Sequence, residues 1–116
     1  NLKTAQEFTA TQNFNATTLS DGATIAWDAS SNQVAKVTLG GNRTLAAATN
    51  QVDGAVYVLS VIQDGSGSRT LSFNSNYKFT GGEAPTLTTT ASAIDVLVFL
   101  SNGSNMLEIG RSLNIS

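Results

Sequence analysis

Ala55-Val56-Tyr57-Val58-Leu59-Ser60-Val61-Ile62-Gln63 and Ile94-Asp95-Val96-Leu97-Val98-Phe99-Leu100-Ser101 are the two stretches on which the fold turns. Both are rich in β-branched and aromatic residues, and both are apolar at nearly every position rather than at alternate ones. Side chains of an extended chain alternate between two faces. Ala55, Tyr57, Leu59 and Val61 therefore share one face of the first stretch, and Val56, Val58 and Ile62 share the other. In the second, Leu97 and Phe99 lie opposite Ile94, Val96, Val98 and Leu100. An antiparallel strand with one wet face alternates apolar and polar residues; these two do not. Each strand is then either sandwiched between two layers of its own chain or has one face against another subunit. A chain of 116 residues builds two layers readily and a third only with difficulty. A subunit interface is the better reading, and it takes in Tyr57, Leu59, Val61, Leu97 and Phe99.

Outward from these stretches, strands are expected at Thr24–Trp27, Val34–Leu39, Arg69–Phe73 and Met106–Arg111, with shorter extended pieces at Tyr77–Phe79, Thr86–Thr88 and Leu113–Ile115. Thr44–Gly54, which contains Ala46-Ala47-Ala48, reads either as one helical turn or as a loop. Three connections look alike: Gly40-Gly41-Asn42 before Arg43-Thr44-Leu45, Asp64-Gly65-Ser66-Gly67-Ser68 before Arg69-Thr70-Leu71, and Asn102-Gly103-Ser104-Asn105 before Met106-Leu107. Each stops a Val/Leu-rich strand at residues that tolerate positive φ and starts another at once, which is hairpin chemistry. The first two share the string Gly-x-Arg-Thr-Leu, a degenerate internal repeat. The expected fold class is all-β, an antiparallel β-sandwich of jelly-roll type built from hairpins, over residues 19–116.

Residues 1–18 differ in style and are expected to form an extended N-terminal fibre or linker segment. Thr4-Ala5-Gln6-Glu7-Phe8 is echoed six residues on by Ala10-Thr11-Gln12-Asn13-Phe14. An even spacing puts Phe8 and Phe14 on one face of an extended chain. Two isolated rings bury little alone, but they would be useful where several copies pack side by side in a fibrous trimer. Phe8 and Phe14 thus join the expected subunit interface; a tail packed onto the domain is the other reading. The opening at Asn1 reads as the start of a piece of a longer product.

Composition removes whole classes of function. The chain has no Cys and no His, so disulfides, Cys-ligated zinc, iron–sulfur clusters and Ser–His or Cys–His nucleophiles are absent. With no cysteine, the redox compartment leaves no mark. Charged residues are only 12%, the net charge is -2, and the six Lys and Arg are dispersed, so nucleic-acid binding is not expected. The longest apolar run, Ala55–Ile62, is interrupted by Ser60 and is less than half of a membrane-spanning helix, so membrane insertion is not expected either. Thr, Ser and Asn make up about a third of the chain, which is polar without being charged.

The residues that could carry chemistry mostly read as structure. Asp21-Gly22, Asp53-Gly54 and Asp64-Gly65 are turn signals, and no carboxylate pair stands out as catalytic. Asp64-Gly65-Ser66-Gly67-Ser68 lacks the further acids of a calcium loop, and Gly65-x-Gly67 is too short for a phosphate loop. No catalytic, cofactor-binding or metal residues are therefore assigned. The sequons at Asn15, Asn42, Asn102 and Asn114 are about as many as chance gives. Trp27 reads as core before it reads as a sugar-stacking platform, because Ile25 lies on the same side of its strand. Asn74, Asn76, Tyr77 and Lys78, beside Gly81-Gly82, form a plausible polar rim for a glycan or else an ordinary hairpin edge.

Several strings recur in an order that is specific in combination: Leu19-Ser20-Asp21-Gly22-Ala23-Thr24-Ile25-Ala26-Trp27-Asp28, then Val37-Thr38-Leu39 and Gly41-Asn42-Arg43-Thr44-Leu45, then Gln63-Asp64-Gly65-Ser66-Gly67-Ser68-Arg69-Thr70-Leu71, then Gly82-Glu83-Ala84-Pro85-Thr86-Leu87. From Leu19 to Ile115 this order resembles the C-terminal domains of tailed-bacteriophage fibre and tail structural proteins. The resemblance implies a β-rich, non-enzymatic virion protein of the tail or fibre. It implies a homotrimer that contacts other virion proteins and a host cell-surface polysaccharide or protein, with no cofactor. A capsid decoration or capsid-attached fibre protein is the alternative. A tailspike glycosidase fits less well, since the chain is too short for a long β-helix.

Overall fold

The computed structural model describes residues 16–115. Within them the chain swings back and forth between two sheets. β1 (Ala16–Thr18), β3 (Val34–Leu39) and β5 (Val56–Gln63) lie side by side in the larger sheet, and β2 (Thr24–Ile25), β4 (Arg43–Leu45) and β6 (Leu71–Phe73) in the smaller. Every pairing within these two triplets is parallel. The first six strands are therefore three coils of a flattened solenoid, each giving one strand to each sheet. β7 (Tyr77–Lys78) returns to the larger sheet, where the hairpin of β8 (Ile94–Ser101) and β9 (Met106–Ile115) separates it from β5, in the order β1-β3-β5-β8-β9-β7. β8 is antiparallel to β5 and β9, while β9 is parallel to β7. The hairpin fills the place where the next coil would have stacked.

The all-β expectation holds, and the antiparallel sandwich of hairpins is corrected. Five of the seven ladders are parallel. Of the three expected hairpins only Asn102–Asn105 is one. There the Asn102 carboxamide oxygen accepts from the Ser104 and Asn105 amides, and Gly103 has φ +91°. Gly40–Asn42 and Asp64–Ser68 are instead corners that carry the chain from the larger sheet to the smaller. A corner asks for the same residues as a hairpin: Ser68 takes φ +61°, and a Cβ on Gly67 would lie 2.5 Å from the Thr89 carbonyl oxygen. Local chemistry fixes that the chain turns, and only the long-range ladder fixes where it goes. The repeated Gly-x-Arg-Thr-Leu string leads into β4 and β6, neighbouring strands of the smaller sheet, so the repeat is one of coils.

Other boundaries follow from the same contest. Thr44–Gly54 forms no helix; after β4 it runs as a loop held by Thr49 N–H donating to the Trp27 carbonyl and Ala48 N–H donating to the Asn76 carboxamide. Thr86–Thr88 is not part of a strand, and Leu113–Ile115 is the end of β9. Ala16–Thr18, at the end of the segment expected as a linker, is an edge strand of the larger sheet. Phe8 and Phe14 lie outside the described residues.

The core lies between the sheets. Ile25, Leu45 and Phe73 face it in register from the smaller sheet, and Ala35, Leu59 and Leu97 from the larger. Trp27 sits at the centre, 1% exposed, stacked on Tyr77 and edge-on to Tyr57 and Phe99 at centroid distances of 6.0–6.4 Å. Its indole N–H donates to the Asn32 carbonyl, so the only polar atom of the ring is satisfied inside. Beyond the three strands of the smaller sheet, Leu87 continues the cover over the core. The buried Gln63 amide ties this segment to the coil, donating to the carbonyls of Arg69 and Thr88 and accepting from the Arg69 amide.

Candidate functional site

The expected glycan rim is largely a structural turn. Tyr77 is buried, its hydroxyl donates to the Ala46 carbonyl at 2.7 Å, and burial pushes the phenol far above its ordinary range. Asn76 is engaged at both ends of its carboxamide, accepting from Ala48 N–H and donating to the Ser104 carbonyl. The Asn74 side chain accepts from Asn76 N–H in an Asx turn. Lys78 is exposed. Three of the four residues hold the β6–β7 turn together, and Tyr77 cannot offer its ring to a ligand.

The two-sided strands separate cleanly into an inside and an outside. Tyr57, Leu59, Val61, Leu97 and Phe99, expected at a subunit interface, are all buried within one protomer as its core. The face of these strands that stays at the surface is the opposite one. Val58 pairs with Val98, Val56 with Leu100 and Ile62 with Ile94, which makes a contiguous aliphatic face across β5 and β8 that reaches Leu107 on β9. Every one of these side chains is intermediate or exposed, Val56 by 41%. Sequence periodicity identified the two sets correctly but carries no sign that says which set faces inward.

A cavity of about 390 Å³ opens on the inner side of β9, lined by Thr80, Glu83, Glu108, Ile109, Gly110 and Arg111. Its charged floor depends on a β-bulge. Glu108 pairs with Phe99 and Gly110 with Val98, so Ile109 is an extra residue on β9. In a regular strand, Glu108 and Arg111 would point to opposite faces. The bulge shifts the alternation by one, and both now oppose inward residues, Phe99 and Leu97. The Arg111 guanidinium forks onto the Glu108 carboxylate at 2.6 and 2.8 Å and also donates to the Glu83 carbonyl. The Glu108 side chain is 2% exposed and that of Arg111 31%. The neighbouring carboxylate holds the Arg111 guanidinium above its ordinary range. Thr80 to Gly82 forms a single 3-10 turn at the rim, with Gly81 and Gly82 both at positive φ. Reading the sequence missed this site, because an i, i+3 charge pair in a strand looks like two unrelated surface charges.

Asp21 and Asp64 serve the corners, while the buried Asp95 on β8 accepts from the Thr88 and Asn114 amides. Arg43 donates to Asp21 in the preceding coil, and Gly40 N–H donates to the same carboxylate. Asp64 accepts from the amides of Ser66 and Gly67 and from Arg69. These bonds hold both carboxyls below the usual range, Arg43 being the largest influence on Asp21 and Arg69 on Asp64. Asp28 is lowered chiefly by the Ser30 hydroxyl and then by Asn50. Among the described residues, no cluster of three or more acids gathers as a metal site, and no helix is long and apolar enough to cross a membrane.

The described residues thus form a coiled all-β domain, in a chain of which only 12% of the residues are charged. The family model described as "Putative phage tail fibre C-terminal domain" matches residues 4–106. The chain belongs to that family of structural phage tail fibre domains, and with it to the virion. No curated protein and no solved structure matches the chain.

Proposed function

We propose that this domain is a non-enzymatic, homotrimeric tail-fibre module that attaches the particle to the host surface, contacting other virion proteins on one side and a cell-surface polysaccharide or protein on the other. The observation that carries the reading is the family match over residues 4–106. Two physical features support it. The aliphatic outer face of β5 and β8 suits a sister copy, since covering half-exposed Val, Ile and Leu side chains is favourable at about 25 cal/mol per Å². The surface chemistry is that of hydroxyl and carboxamide groups, which suits neutral polar receptors. Three linked copies would also hold a cell through individually weak contacts.

The test is adsorption. Purified domain added in excess should occupy receptors and slow attachment of the intact phage, and an antibody to the domain should decorate the distal fibre in electron micrographs. Label on the capsid shell, with no competition for adsorption, would overturn this function.

A further inference from the structure

We infer that the cavity between the Thr80–Glu83 turn and the bulged Glu108–Arg111 segment binds a neutral hexose or N-acetylhexosamine unit of a polysaccharide. The inference deepens the attachment reading and rests on it for the source of the sugar. A volume of about 390 Å³ lies within the range of small-molecule sites and accommodates one or two sugar rings. The polar groups are of both kinds: the Thr80 hydroxyl donates or accepts, Glu83 brings acceptors, and Arg111, held in place by the buried Glu108 carboxylate, brings donors. A sugar hydroxyl donates and accepts at once, so a polyol satisfies such a mixed set, whereas a purely apolar ligand would leave it unpaired.

Charge narrows the ligand. Two carboxylates stand against one guanidinium, and Arg111 already forks onto Glu108 at 2.6 and 2.8 Å. The cavity is therefore net negative and has no uncommitted cation, which disfavours uronic acids, sialic acids and phosphorylated sugars. Ile109, 57% exposed at the lip, offers an aliphatic surface to the C–H face of a ring. The bulge strengthens the case. It interrupts a ladder to bring Arg111 beside a side chain that is 2% exposed, in a cavity that stays open.

The test is an NMR titration of the isotopically labelled chain with maltotriose, mannotriose and chitotriose, and separately with trigalacturonate and sialyllactose. The expected result is saturable amide shifts at residues 80–83 and 108–111 with at least one neutral trisaccharide and none there with the acidic ones. Thr80→Trp, at an exposed rim position, should fill the cavity and weaken that binding at least tenfold while leaving the remaining spectrum intact. Glu108→Gln, which keeps the shape, should weaken it as well. No shifts at these positions with any neutral probe, a preference for acidic probes, or titrations unchanged in Thr80→Trp would overturn the inference. Retention of the labelled domain on bacterial cells, unaffected by Thr80→Trp, would overturn the site and leave attachment standing. Trisaccharide binding at the cavity without retention on cells would support the site and remove the attachment reading.

Discussion

The coiled region, β1 to β6, and the inserted hairpin, β8 and β9, are made of the same residue types but meet different constraints. In the coil, inward side chains of the two sheets share one core, and the corners at Gly40–Asn42 and Asp64–Ser68 are fixed by Asp21, Asp64 and Gln63, which accept from backbone amides. The hairpin extends beyond that core. Its Leu97, Phe99 and Met106 are fully buried, whereas β9 from Arg111 to Ile115 is exposed, and the β8–β9 register shifts at Ile109 and again between Ser112 and Ile115. The coil thus supplies most of the core, while the hairpin carries the cavity on its inner side and part of the aliphatic face on its outer side. Surface that could engage a ligand or a sister copy lies on the hairpin and on β5, the coil strand beside it.

Trp27 is where the two regions meet, and its removal should have the largest effect. Trp27→Ala takes away a ring that contacts Tyr57 from the coil and Phe99 from the hairpin, at a cost of about 3–5 kcal/mol. Denaturant unfolding followed by circular dichroism should register the loss, and amides of β8 and β9 should lose exchange protection together with those of β3 and β5. Full protection of the hairpin in this variant would make it an independent unit and break the comparison. A smaller effect, about 1–3 kcal/mol, is expected for Gln63→Ala, which strands the Arg69 amide and the Thr88 carbonyl. Here exchange should rise first at Arg69 and its neighbours, with β9 beyond Glu108 unchanged.

Acid should destabilise the coil, and mildly. The Asp21, Asp28 and Asp64 carboxyls are lowered in the folded state. A lowered folded value gives stability that is fully present above the unfolded value and is lost as pH falls through the folded one. The melting temperature should therefore be flat from neutral pH to about pH 5 and decline below about pH 4. Asp21→Asn should flatten part of that decline. A melting temperature that rises on acidification would contradict these assignments.

How much of this was legible in the residues follows from the range of each interaction. Val34–Leu39 and Ile94–Ser101 are strands with the expected bounds, because β-branched runs ended by Gly and Asn state their own length. The partition of Tyr57, Leu59 and Val61 from Val56, Val58 and Ile62 was also legible, since it follows from a period of two. What the pattern lacks is direction. Whether Asp64–Ser68 turns into a hairpin or a corner depends on β4 lying ready to pair with β6, 28 residues along the ladder from Arg43 to Leu71, and no local signal encodes that. The Glu108–Arg111 floor was hidden for a related reason: the bulge at Ile109 leaves no mark in composition. The family likeness, by contrast, rests on short strings in order, and the family match over residues 4–106 bears it out.

The most direct test of the account is the sedimentation of the purified domain beside its Val98→Lys variant. Val98 lies on the outer face opposite Val58 and away from the core, so a lysine there should leave the protomer folded. The wild-type domain should sediment as three chains, and the variant as a folded single chain. A wild-type domain that stays a single chain at every concentration would leave the outer face of β5 and β8 without a partner and would contradict the account.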